Sequence, residues 1–251
     1  MKKMKLSIIT VVYNNFNCIE DTILNVIGVC ESRLDIEYII IDGGSTDGTL
    51  EIIKSYHDKI TQWITEPDKG IYDAMNKGIN LAKGEWLIFM NSGDLFHSNG
   101  NQFLNLNFLD NENVIDYDII YGNTLTKNEK KIINIPQKKI DQYYFFLETI
   151  CHQSIFFSRN VFTKLGNYNL DYKIIADREL LFRVAKSKGR FHHINQIISI
   201  WDEEGFSKDN IKLFKMEEKL FVTKNFGFIE RLFLNFRNKL ISGLKKMYIK
   251  L

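Results

Sequence analysis

The chain has 251 residues, of which 45% are hydrophobic and 25% charged, so it can bury a sizeable core and is too apolar to be disordered. Its formal net charge of +2 gives no reason to expect nucleic acid as a partner. The three cysteines form no CxxC pair or disulfide framework, and no apolar run approaches the roughly 20 residues of a spanning helix, so we expect a cytoplasmic protein.

Short apolar runs alternate with segments of helical spacing in the first half, which is typical of βαβ units around a mostly parallel sheet. Strands are predicted at Leu6 to Val12, Tyr38 to Ile41, Trp63 to Ile64 and Trp86 to Met90. Helices are predicted at 18–30, 49–56 and 71–82. The second half favours antiparallel elements, with strands at 118–123, 132–135 and 154–157 and a helix at 175–188. The fold class is therefore α/β, with helices flanking a Rossmann-like mixed sheet.

The fourth predicted strand ends in a small-residue turn, Asn91-Ser92-Gly93, that leads to Asp94. Ligands of open α/β sheets bind at the carboxyl ends of the strands. A carboxylate there can hold Mn²⁺ or Mg²⁺ against a phosphate, because these cations prefer oxygen ligands. An ordinary turn explains the same residues equally well.

The other strand ends also carry polar or aromatic side chains that suit a nucleotide. The first strand ends in Thr10, Val12, Tyr13 and Asn14, where a planar base can stack on the tyrosine and meet polar groups beside it. Asp42, at the tip of the second strand, can accept hydrogen bonds from a base N–H or a ribose hydroxyl. The following Gly43 to Thr49 is explained by a strand, a turn and a capped helix.

The segment before the third helix contains Lys69, which can reach a diphosphate or lie in a solvated turn. Asp73 and Asn76 are three residues apart and therefore share one helix face. We predict that all three contribute to nucleotide binding.

Four motifs in this order resemble the inverting nucleotide-sugar glycosyltransferases of family 2, which have the GT-A fold. The matching residues are Ser7 to Asn14, Ile41 to Thr49, Asp73 to Gly78 and Phe89 to Asp94. The resemblance covers about the first hundred residues. Within the family, the chain is similar to the branch that builds bacterial surface polysaccharides. It implies transfer of a sugar, which we expect to come from UDP, to a lipid-linked or growing surface glycan.

The resemblance also implies roles for individual residues. Asp42 contacts uracil or ribose, and Asp94 binds the divalent cation that bridges the two phosphates. The family's Asp-x-Asp-Asp motif is here Asn91-Ser92-Gly93-Asp94, so Asn91 and Ser92 would meet the nucleotide or donor sugar as neutral groups. An Asp-Asp pair common in the second motif is here Asp42-Gly43. These departures lower the negative charge available to a metal.

Asp177 is our candidate general base, because the family's catalytic aspartate lies in a similar Ala-Asp-x-Asp/Glu-Leu segment that also holds Glu179. An aspartate at a helix start can instead merely complement the helix dipole. His152 can face the acceptor, the donor sugar or the metal, or be structural. Trp201 can stack on a sugar ring or pack in the core. We predict that Glu179, His152 and Trp201 contact the acceptor or the donor sugar.

The chain from Ile211 onward is helical in pattern and basic, which separates a domain at 1–207 from basic amphipathic helices at 208–251. Its apolar residues include Phe228, Leu232, Phe233, Phe236, Leu240, Ile241, Leu244 and Met247. No acidic residue follows Glu230. Such a helix can lie on an anionic membrane surface, which would place the protein at the inner face of the cytoplasmic membrane. Docking on its own domain or on a second subunit is the alternative.

Two other functions compete with glycosyl transfer. Sugar-nucleotide synthesis by nucleotidyl transfer needs a glycine-rich phosphate loop after the first strand, where this chain has Tyr13-Asn14-Asn15-Phe16-Asn17. An inactive GT-A scaffold or a carbohydrate-binding partner subunit is favoured by Asn91 and Gly93. The presence of Asp42, Asp94 and Asp177 argues against it.

Overall fold

The computed structural model describes residues 4–31, 33–98, 106–111, 114, 116–128, 131–133, 140–201 and 210–236. The strands are β1 Leu6–Val12, β2 Ile36–Asp42, β3 Gln62–Thr65, β4 Trp86–Phe89, β5 Leu95–Phe96, β6 Ile119–Thr126, β7 Ile132–Ile133, β8 Ile155–Ser158 and β9 Phe191–Trp201. The α-helices are α1 Phe16–Glu31, α2 Thr49–Ser55, α3 Ile71–Leu81, α4 Arg159–Leu165, α5 Ala176–Lys186 and α6 Ile211–Asn225. The predicted strand residues 134–135 and the tail residues 237–251 lie outside the described parts.

The strands form one mixed sheet in the order β3-β2-β1-β4-β8-β6-β9-β5, with β7 paired to β6. The four strands from β3 to β4 are parallel, whereas β8 runs antiparallel to both β4 and β6. The predicted α/β class and the mixed, mostly parallel sheet are confirmed. The sequence pattern missed β5, because two residues are too few to show a period.

Helices cover both faces of the sheet, so its central strands are buried on both sides. Every residue of β1 and β2 is buried, which explains why these strands are rich in apolar residues with no alternation between the two faces. Residues of α1 pack on one face with Ile8, Ile40 and Ile88, while residues of α3 and α5 pack on the other. The core therefore consists of two apolar layers separated by the sheet.

The register of the strands brings several chain segments to one edge of the sheet. Val12 lies opposite Asp42, and Ile9 lies opposite Phe89, so the carboxyl ends of β1, β2 and β4 are neighbours. Because β8 is antiparallel to β4 and pairs Phe157 with Leu87, the start of β8 lies at the same edge. The turn that precedes β8 is thereby placed beside the end of β4.

Candidate active site

A short 3-10 turn, His152–Ser154, precedes β8 in the chain and lies in space between the end of β4 and the start of α5. Nδ2 of Asn91 donates a hydrogen bond of 3.0 Å to Nε2 of His152. The other ring nitrogen, Nδ1, lies 3.6 Å from Oδ2 of Asp177. The fold thus brings together three residues that the sequence had singled out, although they are separated by 61 and 25 positions.

Asp177 is the second residue of α5, and its carboxylate accepts a hydrogen bond from the buried Tyr72. The hydroxyl of Tyr72 lies 2.6 Å from the carbonyl oxygen of Ile174 and 3.0 Å from Oδ1 of Asp177, so its single proton is shared between these two acceptors. Burial, and then the nearby Asp177 charge, raise the pKa of Tyr72 well above its usual value, so it remains a donor. Asp177 therefore presents a positioned carboxylate, which is what a general base requires.

Asp94 lies beside the same turn and is only 6% exposed. Its Oδ2 accepts a 3.0 Å hydrogen bond from Nε2 of Gln153, whose Oε1 accepts one of 2.8 Å from the thiol of Cys151. Burial raises the pKa of that thiol to about 12, so it remains protonated and can donate. Neither Gln153 nor Tyr72 was predicted, and the only sequence signal for them was their position next to His152 and Asp73.

The turn that leads to Asp94 carries two neutral oxygens of the kind that a hard divalent cation prefers. Oδ1 of Asn91 and Oγ of Ser92 are buried and have no hydrogen-bond partner within the described structure. No group of three or more His, Cys, Asp or Glu residues able to hold a metal occurs in the described part of the chain. A single carboxylate with neutral oxygens suits Mg²⁺ or Mn²⁺ that takes its remaining ligands from water and substrate phosphates.

The ends of β1 and β2 form a loop surface held by Asp42 and Asn14. The buried Asp42 carboxylate accepts hydrogen bonds from the backbone N–H of Ser45, at 3.1 Å, and from the hydroxyl of Thr65. Asn14, at φ 47°, receives the N–H of Thr46 on its Oδ1 at 2.9 Å. Both side chains therefore shape the loop that follows β2.

An exposed aromatic ring and a carboxylate flank the glycine after Asp42. Tyr13 is 63% exposed at the end of β1. A Cβ added to Gly43 would lie 2.3 Å from Oδ2 of Asp68 and 3.3 Å from the Tyr13 ring. Gly43 thus leaves room for the Asp68 carboxylate.

Five other predicted nucleotide ligands make contacts within the protein. Thr10 is buried and donates to the carbonyl of Met90 at 2.7 Å, and Val12 is buried in β1. Asp73 accepts the N–H of the exposed Lys69 at 2.9 Å, and the Asn76 amide pairs with both backbone groups of Tyr168. These residues support the edge of the sheet, and their contact with a nucleotide stays a prediction.

Glu179 and Trp201 lie in separate parts of the structure. Glu179 pairs with Arg183 one turn along α5 at 3.0 Å, and Arg183 in turn donates to the carbonyls of residues 165–167. Trp201 is the last residue of β9, where it pairs with Thr126 and is partly exposed. Their assignment to a sugar remains a prediction.

Comparison with known proteins identifies the family. A family model described as "Glycosyl transferase family 2" matches residues 7–166. The chain is 29% identical over 177 residues to a PGL/p-HBAD biosynthesis glycosyltransferase of Mycobacterium bovis, covering 68% of this chain and 67% of that protein. It is 30% identical over 192 residues to an uncharacterised glycosyltransferase of Rickettsia typhi, covering 72% and 58%.

Solved structures share the fold at low sequence identity. Residues 1–349 of S. aureus TarS in complex with UDP-GlcNAc align with a TM-score of 0.64 and 15% identity over 88% of this chain and 71% of that one. The mannosyltransferase PcManGT of Pyrobaculum calidifontis, in complex with GDP-Man and Mn²⁺, aligns with a TM-score of 0.63 and 16% identity. This alignment covers 84% of this chain and 61% of that one. The chain spans 39% of a longer TarS chain. From the family match and this GT-A-like architecture we conclude that the protein belongs to glycosyl transferase family 2 and is a glycosyltransferase.

Proposed function

We propose that the protein is an inverting glycosyltransferase that moves a sugar from a nucleotide-sugar donor to a glycan, with Asp177 as general base. The observation that carries the proposal is the convergence of Asp177, His152 and Asn91 with Asp94 at one edge of the sheet. A base on one side and a diphosphate site on the other are the two elements that displacement at an anomeric carbon needs.

In the proposed reaction an acceptor hydroxyl attacks the anomeric carbon from the face opposite the diphosphate. The new carbon–oxygen bond forms as the bond to the β-phosphate oxygen breaks, so the configuration inverts. Asp177 takes the hydroxyl proton and the nucleoside diphosphate leaves with the bonding electron pair. The hydrogen bond from Tyr72 holds Asp177 in position, and His152 lies next to its carboxylate.

The residues Asp94, Asn91 and Ser92 would hold Mn²⁺ or Mg²⁺ together with the donor diphosphate. When bound, such a cation neutralises the charge that develops on the leaving diphosphate. The complex of PcManGT with GDP-Man and Mn²⁺ supports this assignment by analogy of fold.

We further propose that the donor is a UDP-sugar and the acceptor a lipid-linked or growing surface glycan. The TarS complexes with UDP and UDP-GlcNAc support the choice of nucleotide, and the PGL/p-HBAD biosynthesis relative supports a glycolipid or surface-glycan acceptor. The exposed ring of Tyr13 beside Gly43 is suited to stacking on a uracil base.

A panel of nucleotide sugars, each with Mn²⁺ and a lipid extract as acceptor, tests the proposed function. We expect release of nucleoside diphosphate with at least one UDP-sugar. In calorimetry we expect UDP to bind in the presence of Mn²⁺, whereas an unrelated anion that does not chelate the cation, such as sulfate, should not bind. Failure to bind UDP or GDP would contradict the proposal. Binding without turnover across the panel would favour the inactive-scaffold alternative.

The C-terminal helices also carry an apolar surface that we propose lies on an anionic membrane. In residues 228–236, which are helical, five apolar side chains are between 55% and 79% exposed: Phe228, Ile229, Leu232, Phe233 and Phe236. The sequence beyond Glu230 carries six basic residues and no acidic one. Exposed apolar side chains next to unopposed positive charge are typical of helices that bind anionic lipid. None of the helices in the described ranges is long and apolar enough to cross a membrane.

Replacing Phe233 with aspartate should weaken binding to vesicles of phosphatidylglycerol. The substitution removes apolar area that would be buried in the lipid, and it adds a negative charge that the anionic headgroups repel. We expect a loss of about tenfold in the partition coefficient measured by vesicle sedimentation. Leu34→Asp, at a side chain that is 86% exposed elsewhere on the protein, is the matched control and should bind as the parent does. Equal binding of the parent and Phe233→Asp would exclude this surface as the membrane contact. If the parent forms dimers in solution and Phe233→Asp does not, the surface is instead a contact between two copies of the chain.

A further inference from the structure

Helix α6 supplies a buried carboxylate to the backbone just before the candidate base. Glu217 is only 3% exposed. Its Oε1 accepts the N–H of Lys173 at 2.7 Å, and its Oε2 accepts those of Ile174 and Ile175 at 2.9 and 3.3 Å. A buried charge is tolerated when donors surround it in this way, so the three N–H groups account for its presence in the interior.

The next residue of α6 holds the chain just after the base. Arg178 is 3% exposed, and its Nη1 donates to Oε1 of Glu218 at 2.9 Å. The same guanidinium donates to the carbonyls of Phe145 and Phe146 and lies 5.3 Å from the centre of the Phe221 ring. Glu217 and Glu218 therefore restrain residues 173–175 and 178, which enclose Asp177.

The restraint reaches the base through backbone groups. Ile174 donates its N–H to Glu217 and accepts, on its carbonyl oxygen, the hydroxyl of Tyr72 that also contacts Asp177. A displacement of Ile174 would move both Tyr72 and the first turn of α5. Because general-base catalysis depends on placing the carboxylate within hydrogen-bond reach of the hydroxyl, a small shift there slows the reaction.

We propose that Glu217 is a positioning residue for Asp177, so that helix α6 is part of the catalytic machinery. The proposal rests on the proposed function, in which Asp177 is the base. Glu217 acts through the N–H groups of residues 173–175 and touches no substrate. The nucleotide end of the site is built on β1, β2 and β4 and does not depend on this contact.

The test is Glu217→Gln in the full chain, which keeps the side-chain shape but sets an amide N–H₂ against backbone donors. We expect kcat to fall by about tenfold or more, while the KM for the donor and the Kd for UDP change by less than about twofold. Lys219→Gln, on an exposed side chain of the same helix, is the matched control and should retain the parent kcat. A folded Glu217→Gln protein with an unchanged kcat would overturn the proposal, as would equal losses of UDP binding and kcat.

A second variant keeps the test decisive if Glu217→Gln does not fold. The side chain of Glu218 is 33% exposed, so Glu218→Gln should fold, and replacing the ion pair with Arg178 by a weaker neutral hydrogen bond should lower kcat by about threefold with an unchanged Kd for UDP. An unchanged kcat in this variant would then reject the positioning role. Full activity of an Asp177→Asn enzyme would instead reject the part of the proposed function in which Asp177 is the general base, which separates the two failures.

Discussion

Replacing Asp177 with asparagine should nearly abolish sugar transfer without changing nucleotide binding. The amide keeps the size of the side chain and can still accept the Tyr72 hydrogen bond, but it cannot take a proton from the acceptor hydroxyl. A positioned general base contributes between 10² and 10⁴ to the rate, so we expect kcat to fall by about 10³-fold. The measurement is nucleoside diphosphate release in the presence of acceptor, together with the Kd for UDP from calorimetry.

Asp171→Asn is the control for this substitution. Asp171 is exposed and lies six residues earlier in the chain, so the same chemical change there should leave kcat near that of the parent. A kcat for Asp177→Asn within about threefold of the parent would show that another group accepts the proton. Asp177 would then be a structural aspartate at a helix start.

Replacing Asp94 with asparagine should weaken the diphosphate site and lower kcat by about 10²-fold, because the charge that develops on the leaving diphosphate is then less stabilised. The buried Asp94 carboxylate accepts a hydrogen bond from Gln153, and the turn Asn91 to Gly93 before it carries no other acidic residue that could replace its charge. The measurement is activity as a function of Mn²⁺ concentration after treatment with a chelator. We expect the substituted protein to need a higher Mn²⁺ concentration and to lose affinity for UDP more than for UMP.

Asp58→Asn provides the control, because its side chain is 85% exposed and lies after α2, away from the end of β4. Its Mn²⁺ dependence should match that of the parent. If Asp94→Asn had the parent's Mn²⁺ dependence and UDP affinity, the assignment of a cation to Asp94 would be wrong. Activity of the parent that persists fully in chelator would show that this site works without a metal.

Much of the fold was predictable because local chemistry dictates it. The strands at Leu6–Val12 and Trp86–Phe89 are mostly or wholly apolar since both of their faces are covered, and that pattern does not depend on distant residues. The boundaries of α2 and α3 were predicted to within one residue. In contrast, Leu95–Phe96 joins β9 through pairing across a hundred residues, which no local period reveals.

The candidate site shows the same division. Asp94, Asp42 and Asp177 could be singled out because carboxylates at strand ends and helix starts stand out in a sequence, and because the motifs resemble a known family. Their partners could not be found in this way. Gln153 and Tyr72 are ordinary polar residues whose importance comes only from the atoms that they meet.

The sequence by itself determined the α/β class, the four motifs of the first hundred residues and the basic character of the C-terminal segment, since each depends on residues near one another in the chain. Only the tertiary structure decided that His152 lies between Asn91 and Asp177, and that Glu217 binds the backbone before α5. The physical reason is that a hydrogen bond depends on distances of about 3 Å between atoms. Such distances between remote residues are set by how the sheet and helices pack, and no local pattern encodes them.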